Sequence, residues 1–356
     1  MVSPSPPSAR TARTARTAQP SKAAKPTRTG RSTKAARPKS TSKSTPAPAR
    51  TRARQAAPTT AGDDASAPRT ARRLDPPVGC HVAVSGGLAK GAFRKAGEIG
   101  AETLQVFVGN PRGWAIAAGD PAEDERFRSL CEEAGVPAFV HTPYLVNFGS
   151  PTPDTLRRSI DVVAHNLARA QTIGARGVVV HTGSCVAEGG YDQAMRQVRE
   201  AVLPLLDALP DGAPPLLLEP TAGQGRSLCA GLEDLPAYFD ALDGHPMLGV
   251  CLDTCHVFAA GAPLDEPDGM ARTLDRLVDL VGPGRLRLVH ANDSKDPRGS
   301  LRDRHERIGQ GHIGVPAFDA LVRHPAMSGV PIVLETPGGD QASREDLALL
   351  KWSRDR

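Results

Sequence analysis

No run of about 18 apolar residues occurs in the 356-residue chain, which excludes a transmembrane helix. The first 73 residues lack more than that. They contain no Leu, Ile, Phe, Tyr or Trp, so they have little with which to offset the entropy of ordering, and a disordered tail is expected over Met1–Arg73. The same lack removes the apolar core of a secretory signal. Acidic residues are scarce there too: Asp63 and Asp64 stand against 17 Lys and Arg, whereas the rest of the chain holds 27 basic and 37 acidic residues. The overall charge of +5 therefore describes the tail and hides an acidic folded part, which bound divalent cations would partly neutralise. An organellar targeting segment, Arg- and Ser-rich and poor in acids, is the alternative to a solvated polycationic arm. Cysteines are few: Cys80, Cys131, Cys185, Cys229, Cys251 and Cys255 are scattered in a chain with no export signal, which points to a reduced, cytoplasmic protein.

What is present after the tail is a rhythm of short apolar runs, each followed by a longer stretch of helical period. The runs are Val78–Val84, Thr103–Val108, Ala138–His141, Gly177–His181, Pro215–Glu219, Leu248–Asp253, Arg285–His290 and Pro331–Glu335. Their start-to-start spacing of roughly 25 to 46 residues fits a strand, a loop, a crossover helix and a second loop. Thr152–Ile173, Tyr191–Leu209 and Gly269–Val281 read as amphipathic helices. Eight such units predict a (β/α)8 TIM barrel over residues 78–356, with a doubly wound open sheet as the alternative.

Six of the eight runs end in a side chain able to bind metal: His141, His181, Glu219, Asp253, His290 and Glu335. In a barrel the C-terminal strand ends share one face, so these six would converge on one pocket. Three imidazoles with three carboxylates suit zinc, or manganese or iron, better than magnesium. Two local pairs extend the set. His256 follows Asp253 by three residues, and Asp303 and His305 alternate in a loop after the seventh run. Cys251 and Cys255 flank Asp253 but lack a second pair, and they read as buried packing residues. His165, His245 and His324 fall on or beside predicted helices and read as surface groups, and His312 lies in a Gly-rich loop.

Over Val78–Leu350 the chain resembles the endonuclease IV family of apurinic/apyrimidinic endonucleases. The motifs are GCHVAVSGGL (Gly79–Leu88), FVGNPRGW (Phe107–Trp114), LEPTAGQG (Leu218–Gly225), GVCLDTCHVFAAG (Gly249–Gly261), HANDSK (His290–Lys295), DRHERIGQGHIG (Asp303–Gly314) and VLETP (Val333–Pro337). The resemblance implies three zinc ions: one held by His141, His181 and Glu219, a second by Glu219, Asp253, His290 and Glu335, and a third by His256, Asp303 and His305. It also implies that Arg112, Tyr144 and Leu145 enter the minor groove beside a flipped abasic nucleotide, and that His81 lies near the barrel mouth. Gly109 and Gly113 depart from the longer polar side chains common in that family's second loop, so contact there is expected to be weaker. The implied activity is cleavage of double-stranded DNA 5′ to an abasic site by a monomeric, nucleoid-associated enzyme, with Glu219 central to catalysis. Two other readings compete: a metal-dependent barrel sugar isomerase or epimerase, and a nucleoid-binding protein whose basic tail does the binding while the barrel is inactive.

Overall fold

The computed structural model describes residues 74–186 and 190–356; the expected disordered tail over residues 1–73 lies outside the described residues. The strands are β1 (Val78–His81), β2 (Leu104–Val106), β3 (Ala138–His141), β4 (Val178–His181), β5 (Leu216–Glu219), β6 (Leu248–Asp253), β7 (Leu286–His290), β8 (Asp293–Ser294), β9 (His305–Glu306) and β10 (Ile332–Leu334). From β1 to β7 each strand pairs in parallel with the next, β7 pairs with β10, and β10 closes onto β1. The sheet is a closed eight-stranded TIM barrel, so the open-sheet alternative falls. The short β8 and β9 form a separate antiparallel pair.

Local sequence explains where the elements stop and start. The helix Pro121–Ala134 begins behind Asp120, whose side chain accepts from the backbone N–H of Ala122 and Glu123, and it carries proline at its first position. It ends at Gly135, whose φ of 65° is cheap only for glycine. Just upstream of β1, Leu74 donates its N–H to Ser328 Oγ and accepts from Gly329 N–H, fastening the chain before the first strand to the loop before the last.

Side chains alternate across each strand, so residues two apart share a face. Phe139, Val179, Leu217, Cys251, Leu288 and Val333 form a dry cluster of their own inside the barrel. Leu217 fits because Gly177 and Gly249 stand beside it: a Cβ on either would lie within 2.8 Å of its methyl carbons. The larger apolar cluster packs the outer strand faces against the helices. Where β6 meets β7, Val250 stands opposite Leu286 and Cys251 opposite Leu288. Arg287 is thus an extra residue, and this bulge lets Leu286 join the outer cluster while Leu288 faces inward.

Three histidines expected at the surface are half-buried, and two of them carry local duties. His324 accepts from Ala326 N–H at the start of a single 3-10 turn and lies 3.2 Å from Asp275, and His245 Nδ1 accepts from Met247 N–H. His165 is half-buried on the helix Pro153–Thr172, with its Nε2 lacking a hydrogen-bond partner. Helical period alone could not show that neighbouring elements cover them.

Candidate metal centre

Six possible ligands stand one pleat step above the dry cluster. His141 follows Phe139 by two residues, His181 follows Val179, Glu219 follows Leu217, Asp253 follows Cys251, His290 follows Leu288 and Glu335 follows Val333. The same alternation that buries six apolar side chains therefore aims six polar ones at the mouth. The other three arrive separately. Asp253 ends β6 and also caps the short helix Thr254–Ala259, accepting from His256 N–H at 2.9 Å, and this first helical turn swings His256 back over the barrel. Asp303 and His305 come in on the extended segment that leads into β9, with His305 Nε2 3.1 Å from Asp303 Oδ1.

Glu219 is the hub and is wholly buried. Its Oε2 lies 3.1 Å from His141 Nε2 and 3.2 Å from His181 Nε2, while its Oε1 lies 2.9 Å from His290 Nδ1 and 3.5 Å from His256 Nδ1. One carboxylate thus faces two neighbouring sets of imidazoles. Beyond it, Asp303 Oδ1 is 3.2 Å from His256 Nε2, and Asp253 Oδ2 is 3.5 Å from His305 Nε2. Possible ligand atoms come together in overlapping groups: His141, His181 and Glu219; Glu219, Asp253 and His256; and His256, Asp303 and His305.

The imidazoles are presented in defined tautomers. His141 Nδ1 donates to Thr142 O, His256 Nδ1 to Pro220 O and His305 Nδ1 to Glu335 O, which leaves each Nε2 facing inward as the nitrogen whose proton a metal can replace. His305 Nε2 is buried and makes no hydrogen bond, although two carboxylate oxygens stand within 3.5 Å. A buried ring nitrogen with no hydrogen bond, set among carboxylates, suits a cation between them, and five imidazoles with four carboxylates form a donor set fit for zinc.

Electrostatics support the same reading. Burial opposes ionisation of Glu219, but His290 and His181 overcome it and hold the carboxyl well below its usual range. Glu335 and Asp303 are likewise held low against burial, the first chiefly by His290 and the second by His256 and His305. Burial disfavours a charged His256 and a charged His305, yet Asp253 and Asp303 push them up to about 10 and about 9. Without metal the cluster gathers protons to balance its carboxylates, and an ion entering it has to displace them.

The chain belongs to the endonuclease IV family. Residues 93–353 match the family model described as xylose isomerase-like TIM barrel. A protein of Streptomyces coelicolor named probable endonuclease 4 is 57% identical over 300 residues, covering 83% of this chain and 99% of that one. One of the same name from Streptomyces avermitilis is 57% identical over 282 residues, covering 78% and 90%. The crystal structure of endonuclease IV from Thermus thermophilus superposes with a TM-score of 0.70 at 34% identity, covering 79% of this chain and 99% of that one. This chain is accordingly an endonuclease. A solved D-tagatose 3-epimerase-like protein, at 17% identity and a TM-score of 0.59, shares the fold alone.

At the rim of this endonuclease the three residues expected to meet DNA are exposed, and two loops bring them together. Tyr144 N–H donates to Pro111 O at 3.0 Å, tying the loop after β3, with Tyr144 and Leu145, to the turn carrying Arg112. The Tyr144 ring packs edge-on to Phe107 at 5.4 Å and within 6 Å of His141 and His181. Partial burial, with Glu335 and Glu219 next, pushes its phenol up to about 12, so it stays protonated at neutral pH. His81 lies with its Nδ1 3.3 Å from Glu335 Oε1 and its ring 4.5 Å from Phe107. Cys251 belongs to the dry cluster and its thiol is pushed up to about 12 by burial, while Cys255, four residues on, is also fully buried.

Two amides that no motif marked also brace the site. Asn292 Nδ2 donates to Asp253 Oδ2 at 2.7 Å while its Oδ1 accepts from Glu335 N–H at 2.8 Å, bracing two candidate ligands at once. Gln105 is fully buried beside His290 and Glu335. For Gln105 the available signal was a lone amide at an inward position of an apolar run; Asn292 lies beyond the run that ends at His290.

Proposed function

We propose that this endonuclease is a zinc-dependent apurinic/apyrimidinic enzyme of base excision repair. It hydrolyses the DNA phosphodiester 5′ to an abasic site and leaves a 3′-hydroxyl and a 5′-deoxyribose phosphate. The observation that carries the reading is Glu219, whose two oxygens face separate imidazole sets. His141, His181 and Glu219 would hold one ion; Glu219, Asp253, His290 and Glu335 a second; His256, Asp303 and His305 a third. Three bound zinc ions supply a strong nucleophile near neutral pH, neutralise charge at phosphorus and stabilise the departing oxygen.

The protein's own part is arrangement and exclusion. Glu219 sets the separation of the first two subsites, and the dry cluster below keeps water from reaching the charged layer through the barrel. Arg112, Tyr144 and Leu145 present a cation, an aromatic and an aliphatic side chain at the rim, the chemistry suited to entering a minor groove and filling the place of a displaced nucleotide. A nucleotide without a base loses less stacking on leaving the duplex, which favours abasic sites. The subsite of His256, Asp303 and His305, together with this rim, has no task in a one- or two-metal sugar isomerase.

Metal analysis of the purified full-length chain, beside cleavage of an abasic duplex, tests the reading. About three ions per chain, mostly zinc, are expected, with activity lost on prolonged chelation. One ion or fewer, with activity intact in chelator, would overturn it.

A further inference from the structure

Of the four cluster imidazoles whose second nitrogen has a hydrogen-bond partner, three use backbone carbonyls, which any sequence would provide. His290 is turned the other way, with Nδ1 toward Glu219 and its Nε2 2.9 Å from the side-chain oxygen of Gln105. Gln105 lies on β2, far from His290 in sequence and fully buried. Its amide nitrogen is 2.7 Å from Glu335 Oε1 and 3.0 Å from His81 Nδ1.

The protons in this network follow from valence. An ionised carboxylate only accepts, so the amide NH2 must be the group facing Glu335. The amide oxygen then faces His290, which must donate from Nε2, so Nδ1, 2.9 Å from Glu219 Oε1 and 3.6 Å from Glu335 Oε2, is the nitrogen that can give up its proton to an ion. The second amide N–H faces His81 Nδ1, which must accept, so the His81 proton sits on Nε2. Flipping the amide would set two acceptors together at Glu335, which an ionised carboxylate cannot relieve.

We propose that Gln105 is the positioning residue of the second metal subsite. It selects the His290 tautomer that offers Nδ1 to the ion, engages Glu335 Oε1 so that Oε2 is free for the ion, and keeps the His81 proton on Nε2. The proposal rests on the zinc reading above and adds to it a residue that touches neither metal nor DNA.

The test uses full-length, zinc-loaded protein with 15N-labelled histidine. In the wild type, long-range proton–nitrogen correlation is expected to show His290 protonated at Nε2 and metal-shifted at Nδ1, with His81 protonated at Nε2. Gln105→Met, similar in length and without hydrogen bonds, should lose the protected His290 Nε2–H signal. It should weaken one of the three zinc ions by about 10–100-fold in competition with a chelator, the scale of a lost outer partner. Its kcat should fall while KM for an abasic duplex stays near the wild-type value. Gln105→Glu guards against a mere folding defect: it keeps an acceptor for His290 but removes the donors, so it should retain the His290 signal and still lose zinc affinity through Glu335. Unchanged zinc affinity and an unchanged imidazole spectrum in Gln105→Met would overturn the proposal. A wild type that takes up no zinc would defeat the metal reading itself, and the proposal with it.

Discussion

Two layers of the barrel interior, one pleat step apart on the same six strands, have opposite characters. The lower is Phe139, Val179, Leu217, Cys251, Leu288 and Val333, all but dry. The upper is His141, His181, Glu219, Asp253, His290 and Glu335, which gathers the titratable groups of the site. Neither layer works alone. Charges packed this closely need a low-dielectric floor to act strongly on one another and on an ion, and an apolar floor without them would be an ordinary barrel core. The comparison predicts that substitutions above will cost chemistry and substitutions below will cost stability.

The largest effect should come from the upper layer. Glu219→Gln keeps size and shape but loses the charge shared between two subsites, so single-turnover cleavage should fall by orders of magnitude while the barrel stays folded and still binds DNA. Near-normal cleavage would move the centre elsewhere. In the lower layer Leu217→Ala opens a cavity between Gly177 and Gly249 and should cost about 2–5 kcal/mol in denaturant unfolding. Zinc content per folded molecule should hardly change, and a large loss of zinc would show that the two layers are not separable in this way.

The rim should yield less. Tyr144→Ala and Arg112→Ala are expected to reduce the preference for abasic over intact duplex, by about 1–3 kcal/mol for the aromatic, the scale of a ring stacked on nucleic acid. Their metal content should match the wild type; equal loss of zinc would make them structural. A gentler test follows from His256 at about 10 and His305 at about 9 in the metal-free protein. Both lie above the unfolded value of about 6.5, so their contribution to stability is full below that pH and is lost as pH rises through 9 to 10. Chelated protein should therefore unfold more readily at pH 10 than at pH 6.5, whereas zinc affinity should strengthen over the same interval because fewer protons need displacing. A flat profile for the chelated protein would count against the proton-filled cluster.

The smallest effect on chemistry should come from residues 1–73. Their 17 cations suit sequence-independent attraction to phosphate, so deleting them should weaken affinity for any DNA and flatten the salt dependence by about 0.9 per lost contact. The saturated single-turnover rate should stay as it was. A marked fall would show that the catalytic unit begins earlier than Leu74.

Much of the architecture was legible because it repeats. Ala138–His141 and Leu248–Asp253 stand as strands with the bounds read from the sequence, and Gly269–Val281 as a helix, since apolar runs and helical period are local signals. Runs such as Thr103–Val108 shorten to Leu104–Val106, because ladder pairing, and not apolarity, ends a strand. His324 and His245 were misread because a cap or a covering helix is invisible to periodicity.

By itself, then, the sequence determined the inward parity of each strand and the kind of side chain at its end, both consequences of a two-residue alternation within one segment. Tertiary structure alone decided which nitrogen of each imidazole faces the cluster, and that Glu219 stands between two imidazole sets. It also decided that Gln105 and Asn292 brace ligands from distant strands. Those are facts of hydrogen-bond geometry between residues up to 230 positions apart. Only closing the barrel brings such residues within bonding distance.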